Sequence, residues 1–508
     1  MEKYIAAYDF GTSGVKVVLF SLNGHIRSVA EQGYALLRPK EGWAEQEPEA
    51  YWEAVCSVTK CALKRGKISA GQIAAVAFGV QAVTLIPVSA EGNPLFRAVS
   101  WLDNRAVLQA EKINGLLGEG TVKSQDHVCR MLWFKEERRE IYEKAKYFLD
   151  CQSYLQYRAT GQLGVPEGHP GILKQPPVIA EYYEALMEAA GIEAEKYPPA
   201  IKAMSSFAPL NERGAKDMGL EPGIPVFGGC IDVPAAAAGC GCIKEGDANV
   251  YLGSSGWLSV MVREPVKAAE GSYFLPAIDS ELLIYGGCTN ACCMAVNWIT
   301  DLMYTEEKKT MGGKVWELIN EEVSGVAPGC DGLMAAPWLH GEQFPVCDEN
   351  LRGTFINAKR EHGRAHFAAS MMESVCFSIR WQCERYGEDY GKRLSEVRVN
   401  GGGSLSHPWM QMMADVLQMP VKIPEETRHS GAAGAALAAA VGMGACSLEE
   451  AGNLIRIERI YEPEKSRASL YEKRYGLFKK LYQALAPLYQ ELNGRNAYEN
   501  RGEETGNR

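Results

Sequence analysis

The sequence predicts an α/β protein made of two related domains. The chain has 508 residues, whereas single hydrophobic cores stop growing near ~250–300 residues. Strand patterns, hairpin turns and a helical pattern alternate along its first part, which is typical of α/β domains. The opening pattern then returns near residue 247. We predict a first domain over residues 1–246, a second over 247–490, and a flexible polar tail over 491–508.

The first domain opens with a strand–turn–strand unit. Residues 5–8 and 15–20 have the apolar composition of buried strands, and the turn Gly11-Thr12-Ser13-Gly14 lies between them. Residues 48–64 have helical apolar spacing, and the proline at residue 48 suits the first turn of a helix. Residues 73–78 are predicted to form a further buried strand.

The second domain repeats this unit. Residues 248–252 and 257–262 are predicted strands, and Gly253-Ser254-Ser255-Gly256 is the turn between them. Further along, a strand over residues 397–400 leads into three consecutive glycines, 401–403. Residues 431–436 are all Gly or Ala, which predicts a helix with a small face that permits close packing.

Composition excludes several classes of protein. The net charge of −10 lacks the basic footprint of a nucleic-acid-binding protein. No signal-peptide pattern opens the chain, and its longest small-apolar stretch is too short to span a bilayer. The 15 cysteines contain no CxxC pair, so we expect buried, reduced thiols and a cytoplasmic protein.

The two glycine turns are candidate phosphate sites. Such turns can expose backbone N–H groups to an anion, and Thr12 and Ser13 add hydroxyl donors. Asp9, at the end of the first strand, is placed to hold Mg²⁺ through water. Each turn could equally be an ordinary hairpin. The chain has neither a GxxxxGK[ST] loop nor a GxGxxG loop, so a nucleotide site would need another architecture.

Two further segments allow two interpretations each. Asp232 lies between Gly228-Gly229 and an alanine run, where a carboxylate can cap a helix or face a cleft as a general base. The glycines 401–403 could bring a flat ligand close to the backbone or form a flexible turn. His362 and His366 could share one helix face, but HExxH is absent, and we expect a surface helix there instead of a metal site.

Six segments taken together resemble the FGGY carbohydrate kinases, and xylulokinases most of all, over residues 4–489. Arg130 directly precedes the segment 131–134, at a position where the family usually has Lys. The resemblance implies two ribonuclease H-like domains of the actin/hexokinase type that flank a cleft for ATP and sugar. The segments are residues 9–16, 42–48, 101–105, 131–134, 337–342 and 366–373.

The resemblance also implies roles for individual residues. Asp232 corresponds to the general base and Asp9 to the metal ligand. The implied contacts with the cofactor ATP are Gly11, Thr12, Ser13, Lys16, Gly253, Ser254, Ser255, Asn297, Gly401, Gly402 and Ser406. The implied sugar contacts, besides Asp232, are Gln81, Ala82, Val83, Trp101 and Asp103.

One departure from the family pattern affects the substrate. Xylulokinases usually carry Gln-Met-His where this chain has Gln81-Ala82-Val83. The missing imidazole removes a polar sugar contact, so we expect D-xylulose to be a poor substrate unless other groups hold it.

The predicted function is therefore ATP- and Mg²⁺-dependent phosphorylation of a hydroxyl of a small sugar or polyol. A ketose such as xylulose is one candidate, and ribulose, glycerol and erythritol are alternatives. The rival is a nucleotide-binding regulator on the same fold without sugar turnover. We expect no nucleic-acid or membrane partner, and we allow for a homodimer.

Overall fold

The computed structural model describes residues 2–118, 122–166, 185–196 and 200–494. Its strands, in chain order, are β1 (Tyr4–Phe10), β2 (Gly14–Ser21), β3 (Ile26–Gly33), β4 (Glu45–Gln46), β5 (Ile73–Val80), β6 (Ile86–Val88), β7 (Ala98–Val99), β8 (Tyr147–Leu149), β9 (Val165–Pro166), β10 (Ala200–Ile201), β11 (Ser206–Pro209), β12 (Pro225–Phe227), β13 (Cys230–Ile231), β14 (Ala248–Leu252), β15 (Gly256–Val262), β16 (Tyr273–Pro276), β17 (Leu283–Thr289), β18 (Met334–Ala336), β19 (Thr354–Ile356), β20 (Val397–Asn400), β21 (Val421–Pro424) and β22 (Ile457–Tyr461).

The α-helices are α1 (Pro48–Gly66), α2 (Val107–Leu117), α3 (His127–Glu137), α4 (Arg139–Lys144), α5 (Cys151–Thr160), α6 (Glu212–Met218), α7 (Asp232–Ala238), α8 (Cys293–Met303), α9 (Thr305–Met311), α10 (Val315–Ser324), α11 (Arg364–Tyr390), α12 (His407–Leu417), α13 (Ser430–Gly442), α14 (Leu448–Leu454) and α15 (Ala468–Asn493).

The chain forms two compact units, each of which is discontinuous in sequence. The first unit contains Met1–Ile243, Leu275–Leu282 and His429–Ile455, and the second contains Lys244–Phe274, Leu283–Arg428 and Arg456–Arg508. The sequence predicted each domain as one continuous stretch. In the structure, α13 and α14 come late in the chain but belong to the first unit.

The first unit is built on a sheet of strand order β11-β12-β5-β1-β2-β3, with β13 also paired to β5. β1 and β2 form an antiparallel hairpin, and β5 runs parallel to β1 on its other side. Nearly every residue of β1 and β5 is buried, since helices cover both faces of parallel strands in α/β folds. The predicted strands over residues 5–8, 15–20 and 73–78 are confirmed and extend by one to two residues.

The second unit repeats this topology in a sheet of order β16-β17-β15-β14-β20-β21-β22. β14 and β15 form an antiparallel hairpin, and β20 runs parallel to β14 on its other side. The predicted strands over residues 248–252, 257–262 and 397–400 are confirmed. The short sequence repeat therefore reflects two sheets with the same arrangement of hairpin and parallel strand.

Helix α13 packs against α7 through glycines. A Cβ atom added to Gly434 would lie 1.9 Å from the carbonyl oxygen of Ala235, and one added to Gly239 would lie 1.8 Å from that of Ser430. Real Cβ atoms do not approach backbone oxygens so closely, hence neither site accepts a side chain. The Gly/Ala-rich stretch permits close packing as predicted, and this contact joins α13 to the first unit.

Three further predictions concern helix α1, the region of the two histidines and the C-terminal tail. Helix α1 is confirmed and extends from Pro48 to Gly66. The surface helix expected around the two histidines begins at Arg364, so His362 precedes it and the two do not share a helix face. From Ala368 onward most of this helix is buried, so the expectation of a surface helix is wrong. Of the tail predicted over residues 491–508, residues 491–493 are instead the last turn of helix α15, and residues 495–508 lie outside the described residues. In the described part of the chain, no helix is long and apolar enough to cross a membrane.

Candidate active site and nucleotide-binding turns

The first unit brings two carboxylates together at the ends of parallel strands. Asp9 of β1 lies opposite Gly79 of β5, and Cys230 of β13 pairs with the same Gly79 from the other side. Asp232 follows two residues after Cys230, at the first position of α7. Three adjacent parallel strands therefore deliver Asp9 and Asp232 to one edge of the sheet.

Both carboxyl groups are harder to ionise than usual. Burial raises the pKa of Asp9, and the charge of Lys16, its partner across the hairpin, partly offsets this increase. Burial and then the charge of Asp9 raise the pKa of Asp232 to about 7, whereas the backbone N–H of Val233 lowers it. A carboxyl with a pKa near neutrality can exchange a proton at physiological pH, as a general base must.

Asp232 does not make the hydrogen bond of a helix cap. The cap position of α7 belongs to Ile231, which lacks a polar side chain. Asp232 Oδ1 accepts a hydrogen bond of 2.9 Å from the adjacent Val233 N–H, whereas a capping side chain accepts from the second or third helical residue. Of the two interpretations of Asp232, these contacts favour a carboxylate that is available for chemistry.

Two glutamines of α5 hold the glycine turn before Asp232. Gln156 Nε2 donates to the carbonyl oxygens of Phe227 and Gly228, at 3.1 and 2.7 Å. Gln152 Nε2 also donates to Gly228. Gly229 has φ of +71°, which favours glycine. The turn is fixed by side chains from another element, and sequence patterns gave no sign of that contact.

Helix α13 supplies another contact that sequence reasoning missed. A Cβ atom added to Gly431, in its first turn, would lie 3.0 Å from the carboxyl carbon of Asp9. The backbone of α13 therefore closes one side of the Asp9 carboxylate. The glycine content of this helix was visible in the sequence, but its target was not, because the two residues are far apart in the chain.

The first glycine turn is connected to the predicted sugar loops. Gly11 N–H donates to Gly14 O at 3.0 Å and closes the turn. The Thr12 hydroxyl accepts a hydrogen bond of 2.7 Å from Trp101 Nε1 and donates one of 2.9 Å to Gln81 Oε1. Ser13 is exposed at the tip of the turn. Thr12 thus joins Gln81 and Trp101, two of the residues assigned to the sugar by resemblance.

The loop that follows β5 contains three of the predicted sugar residues. Gln81 is buried, and its Nε2 has no hydrogen-bond partner among the described residues. Ala82 and Val83 follow it, and Val83 has φ of +58°. This left-handed conformation is rare for a β-branched residue. The loop is therefore polar at Gln81 and strained at Val83.

Asp103 is fully buried and engaged by protein groups. Its Oδ1 accepts from the backbone N–H and Nε of Arg105, and its Oδ2 accepts from Arg105 and from Ala44 N–H. The Arg105 guanidinium also pairs with Glu45 at 2.7 Å and stacks 4.0 Å from the ring centre of Trp43. These contacts give Asp103 a role in holding its loop, and direct sugar contact by Asp103 stays a prediction.

In the second unit, several residues predicted to contact the nucleotide lie near the end of β14. Gly253 N–H donates to Ser255 O at 3.0 Å and closes the second glycine turn. The carbonyl oxygen of Ser254 accepts from Cys292 and Met294 N–H at the start of α8, which carries the exposed Asn297. The turn and this helix are therefore one hydrogen-bonded unit.

The three consecutive glycines lie beside the same turn. Gly401 has φ of +87°, and a Cβ atom there would lie 2.5 Å from the carbonyl oxygen of Leu252, the last residue of β14. A Cβ atom on Gly402 would meet nothing within 4 Å, so that backbone is open to a ligand. Ser406 donates to Asn320 Oδ1 at 2.7 Å.

The two histidines form a small cluster on the second unit. His366 Nε2 lies 3.1 Å from the carboxylate of Asp331, and the two imidazole rings are 5.2 Å apart. No group of three or more His, Cys, Asp or Glu side chains suited to a metal ion occurs within the described ranges.

Comparisons with known proteins agree with this geometry. Residues 4–239 match the N-terminal domain, and residues 248–443 the C-terminal domain, of the FGGY family of carbohydrate kinases. The chain is 27% identical to a xylulose kinase of Bacillus subtilis, over 94% of this chain and 97% of that protein. It is 25% identical to a gluconokinase of the same species, over 97% of this chain and 98% of that protein.

A solved structure supports the same fold. The ligand-bound xylulose kinase from Lactobacillus acidophilus superposes with a TM-score of 0.86 at 23% identity, covering 97% of this chain and 100% of that one. The fold is that of a two-domain kinase of the actin/hexokinase type. The chain belongs to the FGGY family of carbohydrate kinases. It is therefore a sugar kinase, and membership of this family implies ATP as the phosphoryl donor.

Proposed function

We propose that the protein phosphorylates a hydroxyl of a small, uncharged sugar or polyol, with Asp232 as the general base. The observation that carries this proposal is the partly buried Asp232 carboxyl, whose pKa is raised to about 7 beside a second carboxylate. A carboxyl with that pKa is present in both its ionised and its protonated form near neutral pH, so it can accept a proton and release it again.

Asp232 acts on the attacking hydroxyl. Its carboxylate accepts the proton as the oxygen attacks the terminal phosphorus of ATP, and the leaving group is ADP. Phosphoryl transfer asks the protein mainly for positioning and charge stabilisation. The glutamine-held turn before Asp232 and the contact between α13 and Asp9 support the positioning.

Asp9 and Asp232 fit a site for Mg²⁺. The charge of Asp9 raises the pKa of Asp232, so the pair would gain from a nearby cation. Magnesium in kinase sites keeps several waters and takes one or two carboxylates together with substrate phosphates. We assign Asp9 as the residue that holds the ion, mainly through water. When bound, Mg²⁺ would neutralise phosphate charge.

The nucleotide is assigned to the glycine turns. Within the first unit we assign Gly11, Ser13 and Lys16 as phosphate contacts. Within the second unit we assign Gly253 to Ser255 the same role. The open backbone at Gly402, with Asn297 and Ser406, is proposed to hold the adenosine. Support comes from the matching topology of the two hairpins and from the space above Gly402.

The sugar loops favour an uncharged substrate. In the described part of the chain, Arg105 and Arg130 contact these loops, and both are committed to protein groups: Arg105 to Asp103 and Glu45, and Arg130 to backbone carbonyls. A sugar acid such as gluconate would need a cation for its carboxylate, whereas Gln81, Thr12 and Trp101 suit hydroxyl groups. The loops therefore suit a substrate like that of the xylulose kinase relative better than the acidic substrate of the gluconokinase relative.

The test is to measure ADP release with Mg²⁺-ATP over a panel of D-xylulose, L-xylulose, D-ribulose, glycerol, erythritol and gluconate. We expect sugar-dependent ADP release with one or more neutral members and little with gluconate. Preference for gluconate would overturn the substrate class. ATP binding without sugar-dependent ADP release from any member would instead favour a nucleotide-binding regulator.

A further inference from the structure

Arg130 of α3 joins the backbones of the two predicted sugar loops. Its side chain is completely buried. The guanidinium donates to the carbonyl oxygens of Ser100 and Asp103, at 2.8 and 3.1 Å, and to that of Val83. Val83 belongs to the loop that follows β5, and Ser100 and Asp103 belong to the loop that follows β7. One planar group therefore fixes the backbone of both loops.

Side chains of these two loops are also joined through the Thr12 hydroxyl. Gln81, two residues before Val83, accepts a hydrogen bond from Thr12, and Trp101, next to Ser100, donates one to the same hydroxyl. The side chains that are expected to face the sugar thus belong to the same two loops whose carbonyls Arg130 holds. A shift of either carbonyl would move Gln81 or Trp101 relative to the substrate.

The Val83 contact holds an unfavourable backbone conformation. At φ of +58° a valine is strained, because its branched side chain crowds the neighbouring carbonyl. Strained residues persist where the surroundings over-determine them, and they cluster at functional sites. The hydrogen bond from Arg130 to the Val83 carbonyl is one such constraint, and the bond of 2.7 Å from Gln81 N–H to Phe10 O is another.

The guanidinium of Arg130 makes its hydrogen bonds to backbone carbonyls, and its Nε has no hydrogen-bond partner among the described residues. The charges of Asp103 and Asp126 favour its charged form but do not outweigh burial. Burial lowers the pKa of its guanidinium to about 10. An arginine that only filled space could be replaced by an apolar side chain at no electrostatic cost. The specific feature that it adds is a fixed fork of donors that reaches several carbonyls.

We propose that Arg130 is a positioning residue that sets the geometry of the sugar site through the backbone of Val83, Ser100 and Asp103. The inference rests on the assignment of Gln81 and Trp101 to the sugar in the proposed function. Lysine, the residue usual at this place in the family, carries its donors on a single nitrogen and cannot reproduce the fork. Arg130 therefore determines sugar affinity and sugar choice, and nucleotide affinity is independent of it.

The experiment compares wild type with Arg130→Lys and Arg130→Gln, using the best sugar from the panel. We expect KM for the sugar to rise about tenfold, equivalent to one lost hydrogen bond, while KM for ATP stays nearly constant. The ratio of kcat/KM between the best sugar and the next should fall. Arg474→Lys is the matched control, because Arg474 is a buried arginine of the second unit paired with Glu373.

A double mutant tests the mechanism. Glycine at residue 83 adopts the left-handed conformation without strain, so Arg130→Lys should raise the sugar KM less in a Val83→Gly background than in wild type. If Arg130→Lys and Arg130→Gln both leave the sugar KM unchanged, or raise both KM values equally, the inference fails. If Arg130→Lys does not fold, Arg130→Gln decides. Absence of sugar turnover in wild type would contradict the proposed function instead.

Discussion

At the scale of single residues, the raised pKa of Asp232 predicts how stability and the proposed catalysis depend on pH. Its pKa rises from 3.8 to about 7 on folding, because burial and the charge of Asp9 both disfavour the carboxylate. The folded protein therefore binds a proton that the unfolded chain releases. Asp232 consequently makes a contribution to stability that declines as the pH rises from about 4 to about 7.

The same pKa predicts the pH dependence of catalysis. In the proposed mechanism the carboxylate is the active form, so kcat/KM for the sugar should rise with pH, with an apparent pKa of about 7. This apparent value belongs to the coupled pair of Asp232 and Asp9. At saturating Mg²⁺-ATP the nearby cation should move the limb of kcat to lower pH. A kcat/KM that is constant from pH 5.5 to 8 would exclude Asp232 as the titrating base.

Val83 gives a second prediction at this scale. Val83→His restores the imidazole usual in xylulokinases, and histidine tolerates positive φ better than valine. A buried sugar hydroxyl that regains its partner gains about 1–3 kcal/mol, or roughly five-fold to a hundred-fold in kcat/KM for D-xylulose. Val83→Asn controls for relief of backbone strain. Efficient turnover of D-xylulose by wild type, with no gain from histidine, would contradict the hypothesis.

At the scale of elements, the active site depends on the close approach of α13 to α7. Hairpin turns, buried strands and helix α1 could be predicted because each leaves a local pattern in the sequence. The contact between α13 and Asp9, and the hold of α5 on the Gly228 carbonyl, leave no local pattern, because the partners are 76 residues apart for Gln152 and Gly228. Side chains that position a site across such distances require the structure.

The packing of these two helices predicts opposite effects for two glycine-to-alanine substitutions. Gly434→Ala places a Cβ atom against the Ala235 backbone, so we expect it to destabilise the protein by about 1–3 kcal/mol and to lower kcat by displacing α7. Gly476→Ala, inside α15, meets nothing within 4 Å. It should stabilise by up to about 1 kcal/mol.

Thermal unfolding and kcat of both variants test this account of the helix contact. A Gly434→Ala protein as stable and as active as Gly476→Ala would show that α13 does not constrain the helix that carries Asp232.

At the scale of the whole molecule, the duplicated hairpin topology could be predicted from two short glycine turns, and the family from six dispersed motifs. The interleaving of the two units could not. Residues 429–455 return to the first unit because the glycines of α13 accept the backbone of α7, a three-dimensional fit that no composition shift reveals. The helix boundary at Arg364 was also missed, because His362 and His366 are spaced as helical neighbours.

The proposed mechanism requires Asp232 as the base, and Asp232→Asn tests that role. Asparagine has nearly the same shape but cannot accept the proton. We expect kcat with the best sugar to fall by about 10²–10⁴-fold, while calorimetry shows ATP binding comparable to wild type. Asp279→Asn, an isosteric change outside the site, should keep wild-type activity. An Asp232→Asn enzyme that retained most of its kcat would remove Asp232 from the mechanism and contradict the central claim.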